Sequence, residues 1–216
     1  MHVEEYSLFP TRLLTIQFPE TNDLNSQLCR LFDERREFAG GFDMHPDSLN
    51  LLSLVDQQPA IARLRGMFLE GCERWLSAEK AGKPKSVDLV MFSNYAAQGE
   101  LTLAHNHNAD LVGIYYARTP KHDRPAVCEP DESDDYFDVG DGQLVLHDPR
   151  FNANFAATGQ RDYVKIAPRP GLMLIFPANV WHSVTPHRGE TKRLSFSMNF
   201  TFHWREGSNA TRHVFI

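Results

Sequence analysis

From Arg193 to Trp204 the chain alternates without a break, Arg193, Ser195, Ser197, Asn199, Thr201 and His203 falling between Leu194, Phe196, Met198, Phe200, Phe202 and Trp204. Successive side chains of an extended chain point to opposite faces, so this stretch reads as a strand with one polar and one apolar face, as a half-buried strand requires. Upstream, VDLVMF, LTLAH, LVGIYYA, QLVLH, YVKIA and LMLIF follow one another, separated by Gly, Pro, Asn and Asp clusters. Short strands with no helices between them pair antiparallel, in a sandwich or jelly roll.

The first third has a different period. Beyond Thr21–Asp23, which can cap a helix, Leu24, Leu28, Leu31 and Phe32 share one helical face. A second helix starts near Pro59 with the stripe Ile61, Leu64, Phe68, Cys72, Trp75 and Leu76, and stops by Gly82 and Pro84. Gly66 and Gly71 inside it weaken it by roughly 1 kcal/mol each, so packing has to hold it. The expected architecture is α+β, mainly β. A single domain spans residues 1–216, with a helical N-terminal portion (residues 1–86) bracing a jelly-roll, cupin-like core over 87–216.

A length of 216 residues suits one domain with a substantial core. The net charge of −6 is concentrated in Glu129, Asp131, Glu132, Asp134, Asp135, Asp138 and Asp141, which are interrupted by no Lys or Arg. Setting those seven acids aside leaves the rest at −6 + 7 = +1, so there is no basic field to gather nucleic acid. The spacing of the acids does not match a calcium loop, and the stretch reads as a solvated loop or a lid. Cys29, Cys72 and Cys128 are odd in number, far apart and in no CxxC pair, as in a reducing compartment. With no signal-peptide pattern and no apolar run long enough to span a bilayer, the expected location is cytoplasmic and off the membrane. The oligomeric state leaves no mark in the sequence.

The chemistry lies in four residues. His105 and His107 are two apart, which on a strand puts both rings on one face with Leu101 and Leu103 behind them. His182 follows the apolar strand LMLIF and the segment PANVW. Arg193 opens the last strand on its polar face with Ser195 two positions on, and an antiparallel return would set it facing the pocket that His182 enters. A guanidinium fork beside a hydroxyl is a natural receptor for a carboxylate. Three protein ligands on octahedral iron leave two positions for the keto oxygen and C1 carboxylate of a 2-oxo acid, and one for dioxygen.

SNYAAQG, HNHNADLVGIYY, HDPR at 147–150, PRPGLMLIFP, VWHSVTP and TKRLSFSMNF resemble the iron(II)/2-oxoglutarate-dependent oxygenase superfamily, and more closely a bacterial and phage family within it. The likeness covers roughly Phe92–Phe202, with LFPTRLLTIQFP similar as well. It implies a double-stranded β-helix fold, with Fe(II), 2-oxoglutarate and O2 as cofactors and co-substrates. The implied reaction is hydroxylation of a substrate C–H with release of succinate and CO2, and no catalytic residue acts beyond the metal centre. His105 and His182 match the family's metal histidines, and Arg193 with Ser195 matches its partners for the C5 carboxylate. Tyr95 is placed like a tyrosine that contacts the co-substrate, and Asn94 and Asn199 are further pocket candidates. His107 stands where the superfamily usually has Asp or Glu. Asp110 is the alternative carboxylate ligand, but a bulge is needed to turn it to the same side.

The substrate is open, a peptide or a small molecule. The loops from Thr119 to Asp141 and from Phe151 to Asp162 are expected to shape its site, their acids suiting a cationic group. Two other functions use the same residues differently. A three-histidine cupin-like metalloenzyme without 2-oxoglutarate gives Arg193 no special task. A non-enzymatic jelly-roll binding protein holds no iron.

Overall fold

A computed structural model describes residues 11–35, 50–120, 127–128, 141–150 and 162–204. Among the described residues, ten strands form two five-stranded antiparallel sheets. In the first sheet the order is β1 (Leu14–Gln17), β8 (Leu172–Pro177), β4 (Leu111–Arg118), β10 (Arg193–His203) and β2 (Ser86–Ala96). In the second it is β3 (Thr102–His105), β9 (His182–Val184), β6 (Leu144–His147), β7 (Tyr163–Ile166) and β5 (Val127–Cys128). The expected jelly-roll strands are present, with β1, β5 and β9 added. β1 corrects the division of the chain at residue 86, because Leu14–Gln17 pairs antiparallel with β8 and belongs to the first sheet.

Two helices, α1 (Asn22–Glu34) and α2 (Pro59–Ala78), cover the outer face of that sheet. Leu24, Leu28 and Phe32 of α1 are buried as the periodicity requires, while Leu31 is only partly covered. Thr21 takes the N-cap position without capping by its side chain. Its hydroxyl instead receives the Asn25 amide at 3.3 Å. In α2, Ile61, Leu64, Phe68 and Cys72 are buried. Gly71 has a packing reason, since a Cβ there would lie 3.0 Å from Met173 Sδ and 3.1 Å from Ile175 Cδ1. The helix thus approaches β8 more closely than any larger residue permits.

The alternation of β10 corrects one expectation. Leu194, Phe196, Met198, Phe200 and Phe202 pack under the helices, but Arg193, Ser195 and Ser197 are buried too. The strand lies between β4 and β2, and the second sheet covers the start of its polar face. A second core, including Val112, Ile114 and Tyr116 of β4 with Leu144, Ile166, Leu174 and Phe176, fills the space between the sheets. Arg193, Ser195 and Ser197 are therefore an interior surface, while His203 at the far end of the strand is exposed.

Apart from Asp141, the acidic run lies outside the described residues, as do most of the two loops expected over the site. Among the described residues no helix is long and apolar enough to cross a membrane.

Candidate metal centre

Three histidines meet at one end of the space between the sheets. His182 opens β9 and is buried, and its Nδ1–H donates to the Val180 carbonyl at 3.0 Å. His105 closes β3, and its Nδ1–H donates to the Leu103 carbonyl at 2.8 Å. A carbonyl can only accept, so both bonds fix the tautomer and leave Nε2 as the unprotonated nitrogen, the form that can ligate a cation. The two residues face one another across the β3–β9 pair, where a register shift between Thr102 and His105 lets the strand end swing inward.

His107 lies beyond the end of β3, so the shared-strand reading of the pair is corrected. Its backbone N–H is held by the Ala178 carbonyl at 3.0 Å, and its ring stacks on Phe92 at 6.1 Å. Its Nε2 is 3.2 Å from that of His182, and the ring centroids of the three histidines are 4.2 to 5.1 Å apart. One nitrogen from each lies within 4.8 Å of the others. Metal–nitrogen bonds of about 2.1 Å at right angles would separate two ligand nitrogens by about 3 Å, so the His107–His182 spacing already suits adjacent positions on one ion. Leu101 and Leu103 are not packed behind the pair: they are 52% and 78% exposed, on an edge strand.

Burial holds all three rings neutral. It pushes His107 down to about 3, helped by the neighbouring His182 and His105. It pushes His182 down to about 4 against the opposing Val180 bond, and lowers His105 against the Leu103 bond. Neutral imidazole is the form that binds metal.

Asp110 is not part of this group. Its Oδ2 accepts the Phe202 N–H at 2.7 Å, and its backbone is bonded to Phe200 and Ala178, so the alternative ligand is engaged with β10.

The opposite wall belongs to β10. Arg193 does not pair alongside the His182 strand as expected: β9 lies in the second sheet and β10 in the first, so the two residues face each other across the sandwich. The chain between Val184 and Arg193 makes the crossing. The Arg193 guanidinium is 3% exposed and sits 5.4 Å over the Tyr116 ring, with its Nε lacking a hydrogen-bond partner. The Ser195 hydroxyl is buried without a hydrogen-bond partner as well, while the Tyr116 hydroxyl is engaged with Arg193. Burial lowers the Arg193 pKa, opposed by Tyr116 and by the charge of Asp141. Unpaired buried donors are costly, and the Arg193 Nε–H and the Ser195 hydroxyl, on residues that line one cleft, suit the acceptors of a carboxylate.

Between the two walls the cleft is lined by Ile114, Leu144 and Val184, an apolar stretch suited to methylenes. The residues present therefore fit Fe(II) at the histidines and a 2-oxo diacid reaching to Arg193. Asn94 lines the cleft opposite Ser195 and donates to Ser197 Oγ at 3.2 Å. Asn199 does not line it, although its Oδ1 is also buried without a partner. Tyr95 is turned away. It pairs with Leu194 on the helix side, and its hydroxyl donates to Asp33 Oδ1 at 2.5 Å. Sequence reading passed over Tyr116, Ile114 and Ser197. Strand parity carried the signal, since Val112, Ile114 and Tyr116 alternate on one face of β4 and Ser197 follows Arg193 and Ser195 on β10.

Comparison with known proteins bears on the family and the fold. The family model described as "Putative 2OG-Fe(II) oxygenase" matches residues 90–199, just over half of the chain. Among solved structures, a Pseudomonas putida prolyl-4-hydroxylase is similar at a TM-score of 0.57 and 14% identity, over 88% of this chain and 92% of that one. HygX from Streptomyces hygroscopicus is similar in its iron-bound form at a TM-score of 0.51 and 15% identity, over 90% of this chain and 85% of that one. Its form with nickel and 2-oxoglutarate bound gives 0.52 and 14%, with the same coverage. These likenesses bear on the fold, which is that of a jelly-roll oxygenase. No curated protein matches the sequence. On the family match, the chain belongs to the 2OG-Fe(II) oxygenases and is an enzyme of that type.

Proposed function

We propose that this protein hydroxylates a C–H bond of a small-molecule or peptide substrate, consuming 2-oxoglutarate and O2 and releasing succinate and CO2. Fe(II) would be held by His105, His107 and His182, and when bound it supplies the oxygen activation. The observation that carries the reading is a cluster of three neutral imidazoles facing a buried guanidinium whose Nε, like the neighbouring Ser195 hydroxyl, has no partner.

The chain's residues divide the remaining work. The Val180 and Leu103 carbonyls aim two rings by holding their Nδ1 protons. Arg193 and Ser195 would receive the C5 carboxylate, with Asn94 as a further lining group. Ile114, Leu144 and Val184 exclude water from the middle of the co-substrate. Three neutral ligands leave the ion with its full charge, where an Asp or Glu in the triad would remove one unit. The likeness in fold to a prolyl-4-hydroxylase favours neither a peptide nor a small metabolite as substrate.

The test is anaerobic addition of Fe(II) and then 2-oxoglutarate to the full chain. The visible charge-transfer band of a chelated 2-oxo acid is expected, and it should be lost in His182→Ala. Absence of the band from folded wild-type protein that retains Fe(II) refutes the reading. The same titration of Arg193→Ala separates it from a three-histidine enzyme without 2-oxoglutarate, for which activity should survive the substitution.

A further inference from the structure

Arg193 is buried beside a carboxylate that does not bind it. Gly142, at φ +59°, passes so close that a Cβ there would be 3.1 Å from Arg193 Cδ and 3.6 Å from Nε. Asp141, the preceding residue, is near enough for its charge to act on Arg193, yet among the described residues no hydrogen bond or ion pair joins the two. The Asp141 carboxylate is engaged elsewhere. Its Oδ1 accepts the Arg188 backbone N–H at 2.7 Å and faces His187 Nδ1 at 2.9 Å.

His187 is 2% exposed, and its other nitrogen lies 2.6 Å from the Thr191 carbonyl. Both ring nitrogens therefore face acceptors, and the ring is clamped between the Asp141 carboxylate and the Thr191 carbonyl. His187 lies within the crossover from β9 to β10, which joins the His182 wall to the Arg193 wall, and Asp141 comes from the segment just before β6. Gly189 lets that turn close over the ring, since a Cβ there would be 2.9 Å from His187 Cε1.

We propose that His187 is a positioning residue that withholds the Asp141 carboxylate from Arg193, so that the guanidinium keeps its donors for the far carboxylate of the co-substrate. The inference rests on the 2-oxoglutarate reading above. A carboxylate tethered this close competes at a high effective concentration with any free diacid. Removing its imidazole partner frees it to turn onto Arg193. Held where it is, Asp141 tempers the buried positive charge without occupying the guanidinium.

The experiment titrates 2-oxoglutarate into the anaerobic Fe(II)-loaded full chain by the charge-transfer band, with Fe(II) affinity measured separately by equilibrium dialysis. His187→Ala should weaken 2-oxoglutarate binding about tenfold or more, the scale of one charge-assisted hydrogen bond, and leave Fe(II) affinity unchanged. Asp141→Asn alone should bind as well as wild type or better. The double variant should recover to within about threefold of wild type, because the competitor has gone. Unchanged binding in His187→Ala overturns the proposal. So does loss that Asp141→Asn fails to rescue, which would make the pair a structural brace. Should His187→Ala not fold, Asp141→Asn decides: weakened binding overturns the proposal and retained or tighter binding supports it. Wild type that takes up Fe(II) but shows no band instead overturns the function on which the proposal stands.

Discussion

Replacing Arg193 with Met should stabilise the ligand-free protein while removing its affinity for 2-oxoglutarate. The side chain is 3% exposed and its Nε has no acceptor. What compensates the charge is the Tyr116 ring at 5.4 Å and the Asp141 carboxylate, which is bonded elsewhere. Exchanging buried charges for apolar side chains of similar volume stabilises by about 1 to 4 kcal/mol. Loss of the cation–π contact takes back about 1 kcal/mol, leaving a net gain of about 0 to 3 kcal/mol. For a chain of this size each kcal/mol raises Tm by about 2 to 4 °C, so a rise of up to about 12 °C is expected in a calorimetric scan of the metal-free protein. Two charge-assisted bonds to a carboxylate, at about 1.5 to 3 kcal/mol each, make the loss of 2-oxoglutarate affinity about 100-fold or more. A fall in Tm together with 2-oxoglutarate affinity within about threefold of wild type would refute the reasoning, because Arg193 would then be a satisfied structural residue.

The two glycines of α2 should respond oppositely to alanine. Gly66 has open space where a Cβ would go, so Gly66→Ala should stabilise by about 0.4 to 1 kcal/mol in denaturant titration, whereas Gly71→Ala should destabilise by crowding Met173 and Ile175. Asp110→Asn should leave Fe(II) affinity unchanged and cost about 1 kcal/mol through its bond to Phe202, while His107→Ala should abolish tight Fe(II) binding. Equilibrium dialysis showing the reverse would return the carboxylate to the metal. For pH, His107 at about 3 and His182 at about 4 both lie below the unfolded value of 6.5. Between these limits the unfolded chain binds more protons, so stability of the metal-free protein is present above pH 6.5 and falls as the pH drops through that window. His107→Gln should flatten the pH dependence of Tm, and an unchanged slope would count against the buried neutral ring.

Period carried much of the architecture into view before any coordinates. The 3.6-residue stripe of α2 and the two-residue alternation of β10 are both real, because each element buries one face against the other. β1 and β9 escaped because four and three residues are too few to show a period, and their pairing partners lie far away in the chain. The metal histidines were legible as residue types at a spacing. Their convergence was not, since it depends on a register shift in β3 and on a backbone bond from His107 to Ala178. Tyr95 and Asn94 were both pocket candidates, yet adjacent strand residues point to opposite faces, so only Asn94 faces the cleft.

The placement of His182 and Arg193 on different sheets bears on what the cleft can hold. Sheets packed face to face lie roughly 10 Å apart, too far for both walls to grip one small anion. A molecule held by both must bring a metal-binding group to the imidazoles and an acceptor to the guanidinium, with a short apolar stretch between them. A 2-oxo diacid has that form, and a monocarboxylate of the same head group would leave the Arg193 Nε and the Ser195 hydroxyl with their donors unmet. Selectivity for the diacid would then come from the cost of the empty wall as much as from the bonds the diacid makes, because an unpaired buried donor forfeits more than an ordinary hydrogen bond contributes.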